Sequence, residues 1–230
     1  MLNRTVVAAL VAEAIGTFLF FVVGGGAVIA DAQTGGAVGL LGIALAHGLT
    51  LATLATAFGP ISGGQFNPAI TIALWLVGKV RTVEGLRYIV AQLVGAVGAG
   101  LSLKLAFGGF NGEPSVYGFA GGAVPTLSMG AGTPLLIGVE AVLTAVLAFA
   151  VLLTAADSRA PKLGALFIGF AVTADIMVGA PLTGAAMNPA RWFGPALIFG
   201  DLSGAIVYIV GPIVGATLAA LSVRYLFAER

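Results

Sequence analysis

The sequence predicts an all-α membrane protein in which six transmembrane helices and two re-entrant half-helices form an inverted repeat. Three observations predict this fold class. Hydrophobic residues make up 59% of the chain and charged residues only 8%, whereas a soluble domain carries roughly 25% charged residues. The 230 residues leave room for six apolar spans of roughly 20 residues each. The tripeptide Asn-Pro-Ala occurs twice, as Asn67-Pro68-Ala69 and Asn188-Pro189-Ala190, in matching surroundings.

Six apolar stretches predict the transmembrane helices. They lie at residues 6–30, 37–58, 84–107, 134–155, 163–181 and 203–227. Arg4 precedes the first stretch, which is long enough to span a membrane and lacks a convincing signal-peptide cleavage site. We therefore interpret it as the first helix, and the whole of residues 1–230 as one membrane domain.

A short apolar run follows each Asn-Pro-Ala copy. The first extends from Ala69 to Val77 and the second to about Phe199. Neither is long enough to cross a bilayer. Irregular backbone at membrane depth is tolerated only where it is buried in protein or lines a water-filled cavity. The two runs therefore predict half-helices that enter the membrane and return to the same side.

The basic residues predict the orientation. In the six-span topology most of them fall on one side of the membrane: Arg4, Lys79, Arg81, Arg87, Arg159, Lys162, Arg224 and Arg230. Only Lys104 and Arg191 fall on the other side. Because cytoplasmic loops carry the excess of Lys and Arg, both termini are predicted to be cytoplasmic. The first half-helix then enters from the cytoplasm and the second from outside.

The two halves also match in a pair of buried acids. Glu13 lies within the first predicted span and Glu140 within the fourth. Three spans plus a half-helix, repeated after an odd number of crossings, make an inverted repeat of approximately residues 1–110 and 130–230. A proton relay is one interpretation of such acids. We favour a structural one, in which each carboxylate accepts hydrogen bonds from backbone amides beside its half-helix.

The Asn-Pro pairs are strong helix-start signals. Asn caps free backbone amides, and Pro at the first helical position gives up an N–H that has no partner. One copy alone predicts only a capped loop helix. Two equivalent copies predict two helix N-termini facing each other near mid-membrane, each with roughly half a positive charge. The amides of Asn67 and Asn188 would then orient a passing water molecule, and the positive ends would repel protons and cations.

A further set of motifs surrounds these tripeptides. The set is Ser62-Gly63 before the first copy, Gly184 before the second, Arg191 after it, the paired Glu13 and Glu140, and Gly211-Pro212 in the last span. This set resembles the aquaporin family over nearly the whole chain. The stretch from Asp175 to Ala196 is most similar to the tonoplast intrinsic protein branch. The resemblance implies a passive channel for water and small neutral solutes, present as a homotetramer in a lipid bilayer.

The resemblance also implies an outer constriction, or selectivity filter, formed by four side chains: His47, Ile176, Ala185 and Arg191. Arg191 has a physical argument of its own, because an arginine at membrane depth costs about 2.5–3.5 kcal/mol and should face a polar pore. His47 taken alone could equally be a packing histidine. Water-selective relatives carry Phe at the position of His47 and His at that of Ile176. The filter is therefore predicted to be wider and less polar, which favours ammonia, urea, glycerol or hydrogen peroxide.

Composition limits the other possibilities. The chain has no cysteine and a single histidine, so neither a disulfide nor a metal site is expected, and no cofactor is implied. The net charge of +1 gives no indication of a nucleic-acid partner. No nucleophile, base and oxyanion set predicts an enzyme. A secondary transporter and a nonconducting membrane scaffold remain as alternatives, since inverted repeats with broken helices also occur in transporters. The short termini favour a prokaryotic cytoplasmic membrane over a plant vacuole.

Overall fold

The computed structural model describes residues 4–107, 119–120, 124–125, 127, 130–160 and 162–227. Arg230, one of the basic residues used for the orientation, lies outside them. Eight α-helices account for most of the described residues. They are α1 (Arg4–Gln33), α2 (Gly39–Ser62), α3 (Pro68–Leu76), α4 (Thr82–Ala106), α5 (Thr133–Ala150), α6 (Gly164–Thr183), α7 (Pro189–Phe199) and α8 (Ala205–Ser222).

Six of these helices are long and apolar enough to cross a membrane, which confirms the predicted spans. Counting the extensions described below, they contain 20 to 30 residues with a hydropathy of 1.7 to 2.5. Large apolar side chains such as Leu105, Val142 and Val178 are exposed on their outer surfaces. Those apolar surfaces suit contact with lipid. The helix lengths also suit the hydrocarbon core, which takes about 20 apolar residues to cross.

Two spans end later than predicted. The second span was expected to stop at residue 58 and the fifth at 181, near a proline in each case. Instead α2 continues past Pro60 and α6 past Pro181. A proline in the last turn removes only one helical hydrogen bond. The helices end where Gly63 (φ 94°) and Gly184 (φ 72°) adopt the left-handed conformation that closes a helix.

Two features were not predicted from the sequence. Helix α5 continues as a one-turn π-helix over Val151–Ala155, and α8 continues as another over Val223–Phe227. Strands β1 (Phe119–Ala120) and β2 (Val124–Pro125) pair antiparallel between α4 and α5, with Ala120 opposite Val124. This two-residue hairpin is a small addition to the predicted all-α fold.

The two halves pack their long helices in the same way. Helix α1 packs against α4, and α5 packs against α8. A Cβ atom on Gly95 would lie 2.2 Å from the carbonyl oxygen of Ala14, and one on Gly215 would lie 2.0 Å from that of Ala141. Only glycine allows this approach, so small residues set both helix contacts. Each half-helix crosses to the other half: α3 packs against α8, and α7 against α4.

Candidate functional site

The two half-helices meet at their N-termini near the centre of the molecule. The Asn67 side chain caps α3 by accepting from the Ala69 N–H (2.9 Å), and Asn188 caps α7 by accepting from the Ala190 N–H (3.0 Å). The same two side chains link the halves. Asn67 Nδ2 donates to the Met187 carbonyl and Asn188 Nδ2 donates to the Phe66 carbonyl, both at 2.9 Å. Each amide has two hydrogens, so one remains for a molecule in the adjoining cavity.

The residue before each asparagine has a strained backbone. Phe66 (φ 49°) and Met187 (φ 52°) are both in the left-handed region, as is Ala185 (φ 46°). Such a conformation costs of order 1–3 kcal/mol for a residue other than glycine. It turns the carbonyls of Phe66 and Met187 toward the opposite asparagine. The sequence carries no signal for it, because neither residue type favours positive φ.

Buried carboxylates hold this strained backbone in place. Glu13 accepts from the N–H groups of Gln65 (2.9 Å) and Phe66 (2.8 Å), and also from the Ser62 hydroxyl (2.6 Å). In addition, Gln92 Nε2 of α4 donates to Glu13 at 2.8 Å. Four donors therefore converge on one fully buried carboxylate, in the arrangement that the structural interpretation of Glu13 requires.

Glu140 makes the equivalent contacts in the second half. It accepts from the N–H groups of Ala186 (2.9 Å) and Met187 (2.7 Å), and from the Thr183 hydroxyl (2.6 Å). Glu140 is fully buried, as Glu13 is. Both acids therefore lie beside the loops that lead into the half-helices, rather than in a chain of titratable groups.

His47 and Arg191 contact each other at one end of the site. Arg191 Nε and Nη2 lie 3.4 Å and 3.2 Å from His47 Nε2, and Arg191 Nη1 donates to the Gly184 carbonyl at 3.4 Å. His47 Nδ1 lies 2.8 Å from the Ile43 carbonyl. Since a guanidinium only donates, Nε2 is the acceptor and Nδ1 carries the proton, which defines a neutral ring.

The imidazole of His47 fits against a glycine of α1. A Cβ atom on Gly24 would lie 2.4 Å from His47 Nε2. The Phe20 ring packs edge-on against the imidazole, with centroids 6.0 Å apart. Both contacts fix the ring that faces Arg191. Neither Gly24 nor Phe20 belongs to a motif that the sequence repeats. Sequence reasoning therefore could not associate them with His47.

Ile176 and Ala185, the other predicted filter residues, differ in position. Ile176 lines the central cavity described next. Ala185 is fully buried and is absent from that lining, where its neighbours Ala186 and Met187 appear instead. A Cβ atom on Gly179 of α6 would lie 3.2 Å from the Ala185 methyl group. The Ala185 side chain thus packs toward α6, because the irregular backbone here does not follow simple helical spacing.

A central cavity of about 250 Å³ connects these elements. Its polar lining consists of His47, Gln65, Asn67, Asn188 and Arg191. The remaining wall is apolar or glycine and comes mainly from α2, α3, α6 and the π-helical turn that ends α5. Gln65 is buried, and its Oε1 has no hydrogen-bond partner in the described residues. The cavity therefore presents a short series of polar groups along an otherwise apolar path.

Asp175, Trp192 and Leu127, to which the sequence assigns no role, lie outside this lining. Asp175 is 5% exposed, and its Oδ2 has no hydrogen-bond partner in the described part of the chain. Trp192 stacks on Tyr208 with centroids 6.1 Å apart, and Leu127 packs against the same apolar cluster. These contacts give Trp192 and Leu127 a packing environment. The described residues contain no group of three His, Cys, Asp or Glu side chains that could hold a metal ion.

Comparisons with known proteins agree on one family. The model of the family described as major intrinsic protein matches residues 2–223. The chain is 41% identical to "Aquaporin TIP4-4" of Zea mays over 230 residues, covering 96% of this chain and 87% of that protein. It is 41% identical to "Aquaporin TIP2-1" of Arabidopsis thaliana over 223 residues, covering 93% and 84%.

A solved structure shares the fold. The X-ray structure of the aquaglyceroporin from Plasmodium falciparum superposes with a TM-score of 0.83 at 21% identity, and the match covers 96% of this chain and 97% of that one. The two relatives named above come from plants, which argues against the prokaryotic membrane expected from the short termini.

Proposed function

We propose that the central cavity is the conduction path of this chain, which belongs to the major intrinsic protein family and is a passive membrane channel for water and small solutes. One observation carries this proposal. Asn67 and Asn188 line the cavity where two helix N-termini meet, and each donates a hydrogen bond to the carbonyl of the residue before the other.

Asn67 and Asn188 orient the water molecules. One amide hydrogen of each side chain is used by the link between the halves, and the other donates to the oxygen of a passing water molecule. That water then has both lone pairs engaged and cannot accept a proton from its neighbour. The N-termini of α3 and α7, each with roughly half a positive charge, add repulsion toward protons and cations.

His47, Ile176 and Arg191 select the solute. The guanidinium of Arg191 repels cations and donates hydrogen bonds, and the neutral His47 ring fixes its position. Ile176 supplies an apolar wall opposite these polar groups. Ala185 acts behind the constriction as a small residue that lets α6 and the loop approach each other. A filter with few polar groups admits ammonia, urea, glycerol or hydrogen peroxide besides water.

Glu13 and Glu140 support the path without carrying protons. Each carboxylate offsets the strain at Phe66 or Met187 by accepting two backbone N–H groups and a hydroxyl. The chain is an integral multi-pass membrane protein. We further propose that both termini are cytoplasmic, that residues 1–110 and 130–230 are the inverted repeats, and that the chain forms a homotetramer with one pore per protomer.

Light scattering from proteoliposomes mixed rapidly with hyperosmotic glycerol tests this function. Fast shrinkage followed by fast re-swelling is expected for a channel that passes both water and glycerol. Shrinkage alone would restrict the filter to smaller solutes. A scaffold would accelerate neither phase over empty liposomes, and a secondary transporter would show solute flux that follows an ion gradient.

A matched pair of variants on α6 makes the test specific to the filter. Ile176→Phe narrows the cavity and is expected to slow glycerol re-swelling more than water efflux. Val178→Phe adds the same ring to the same helix, at a side chain that is 69% exposed on the outer surface. It is expected to leave both rates unchanged. Equal losses in both variants would contradict the position of Ile176 in the conduction path.

A further inference from the structure

A second cavity lies outside the conduction path. It has a volume of about 310 Å³ and lies between the end of α3, the π-helical turns that end α5 and α8, and the loop that follows α5. This volume is at the lower end of the range for small-molecule sites, roughly 300–1,000 Å³. By the distribution of basic residues, this end of the molecule faces the cytoplasm.

The π-helical turn Val151–Ala155 separates the two cavities. Val151 and Ala155 line the conduction path, whereas Leu152 and Ala156 line the second cavity. An occupant of the second cavity therefore contacts the opposite side of this turn from a molecule in the pore. The second cavity is a distinct site, and its occupation does not depend on the proposed function.

Basic side chains dominate the polar lining of the second cavity, which we call the basic pocket. Lys79, Arg159 and Arg224 stand against a single acid, Asp157. Arg159 Nη2 lies 2.6 Å from Asp157 Oδ2. Hydrogen bonds from Arg159 lower the pKa of Asp157 from 3.8 to about 2, and the charge of Lys79 contributes to the shift. Three cations against one ionised carboxylate leave a net charge of +2 near neutral pH.

Lys79 and Arg224 supply the charge that is not neutralised. Neither forms an ion pair with an acidic side chain in the described residues. Arg224 Nη1 donates to the Leu76 carbonyl at the end of α3 (2.7 Å). This contact caps the helix and uses one of the five guanidinium donors. The remaining donors and the Lys79 ammonium are suited to an anion with several acceptor oxygens.

Apart from Ser158, the rest of the basic pocket is apolar. Val77, Leu152, Val223 and Phe227 contribute to its wall, and Phe227 is 51% exposed. The pocket thus combines a cationic rim with a hydrophobic wall at the end of two transmembrane helices. Basic pockets between transmembrane helices on the cytoplasmic side suit anionic lipid headgroups. A free anion would have no use for the apolar wall.

We propose that the basic pocket binds the phosphate group of an anionic lipid, with Lys79 and Arg224 contacting the phosphate and with Leu152, Val223 and Phe227 contacting the adjoining acyl chain. A phosphate group is the shared chemistry of a lipid headgroup and of free inorganic phosphate. The apolar wall favours the lipid.

Calorimetric titration of the purified full-length protein in detergent tests this site. The probes are dioctanoyl phosphatidic acid, dioctanoyl phosphatidylcholine and inorganic phosphate. Phosphatidic acid is expected to bind at least about tenfold more tightly than either of the others. The double variant Lys79→Gln/Arg224→Gln is expected to weaken its binding about tenfold or more, since basic residues near the membrane surface attract anionic lipids.

A charge-matched control separates this site from general attraction. Arg81→Gln/Arg87→Gln removes two exposed cations from the same side of the molecule, outside the basic pocket, and is expected to change the affinity less than about twofold. Equal weakening in both double variants would overturn the proposal. So would equal affinity for inorganic phosphate, or no binding of phosphatidic acid by the wild type.

The Arg224→Gln change also removes the hydrogen bond to the Leu76 carbonyl at the end of α3, which destabilises the protein. Lys79→Gln alone keeps the test decisive, because no hydrogen bond from the Lys79 side chain is present in the described structure. It is expected to weaken phosphatidic acid binding severalfold, and Lys79→Arg is expected to restore it. Unchanged binding in Lys79→Gln would overturn the role of this residue. Titration reads binding alone, so it remains informative whether or not the pore conducts.

Discussion

The two re-entrant halves share one backbone plan but differ in the third residue after the asparagine. That residue is Ile70 in the first half and Arg191 in the second. Both line the conduction path. The first half therefore presents an apolar side chain where the second half presents a cation. The repeat supplies the geometry, and this one difference within it confines the proposed charge selection by Arg191 to one half of the pore.

The supporting contacts also differ. Glu13 and Glu140 each accept from two backbone N–H groups and one hydroxyl. Glu13 accepts in addition from Gln92 of α4. Gln92 lies three residues before Gly95, and the residue three before the equivalent Gly215 is Pro212, which has no donor. Glu13 thus accepts one more hydrogen bond than Glu140 does. The second half has the aromatic pair of Trp192 and Tyr208 instead.

The largest expected effect is on stability, and it should be larger in the first half. Glu13→Leu leaves four donors without an acceptor, and Glu140→Leu leaves three. Each orphaned buried donor costs about 1–3 kcal/mol. We therefore expect Glu13→Leu to cost at least about 4 kcal/mol, and Glu140→Leu roughly one donor less. The temperature at which half of the heated protein stays monodisperse in detergent measures both.

Gln92 provides the control for that difference. Glu140→Leu and Glu13→Leu should lower stability by similar amounts when both are made in a Gln92→Leu background, because the additional donor is then absent. An equal loss for the two single variants in the wild-type background would contradict the predicted asymmetry. A difference that persists in the Gln92→Leu background would show that Gln92 does not account for it.

The next largest effect concerns charge selection. Arg191→Val removes the cation that lines the conduction path, and proton permeability is expected to rise about tenfold or more. A proton about 8 Å from a guanidinium meets about 2 kcal/mol of repulsion at an effective dielectric constant of about 20. A pH-sensitive dye inside proteoliposomes measures the leak. Ile70→Val, at the equivalent position, should leave proton permeability unchanged, and a similar leak from both variants would contradict the asymmetry.

The asparagines should respond equally, because each donates one Nδ2 hydrogen bond of 2.9 Å to the carbonyl of the residue before the other asparagine. Asn67→Ser and Asn188→Ser keep an oxygen that can cap the half-helix but lose the Nδ2 donor to the opposite carbonyl. Each is expected to cost about 1 kcal/mol. Thermal stability and water permeability should fall together in both variants. A loss confined to one variant would mean that the two links are not equivalent.

The smallest effect compares the fourth residues after the asparagines. Thr71 Oγ1 accepts from Gln92 Nε2 at 3.0 Å, whereas the Trp192 Nε1 has no partner in the described residues. Thr71→Val should cost about 1 kcal/mol because it removes an acceptor from a buried amide. Trp192→Phe keeps an aromatic ring beside Tyr208 and removes no described hydrogen bond, so only the smaller buried volume should cost stability, about 0.5–1.5 kcal/mol as for other conservative core truncations. A larger loss for Trp192→Phe would indicate a hidden partner for the indole N–H.

Much of this fold could be predicted because its signals are repeated. Apolar length located the six spans, and the duplicated Asn-Pro pairs located both half-helices and their caps. The backbone contacts of Glu13 and Glu140 could be predicted for the same reason, because the two acids occupy matching positions in the two halves. The family membership and the channel function followed from the same motifs.

The remaining details depend on tertiary contacts that leave no local signal. The left-handed conformations of Phe66 and Met187 exist because carboxylates from other helices bind the adjoining amides. The family resemblance implies a filter role for Ala185, and the structure adds that its methyl group lies against Gly179 of α6, a contact that no sequence pattern indicates. The late ends of α2 and α6 depend on left-handed glycines that override the prolines.

The central claim is that the pore conducts water while Asn67 and Asn188 interrupt proton transfer along it. One preparation of wild-type proteoliposomes, containing a pH-sensitive dye, allows osmotic shrinkage and proton entry to be recorded side by side. The account predicts water efflux well above that of empty liposomes, with proton entry indistinguishable from theirs. Proton entry that rises in proportion to the water flux would contradict it.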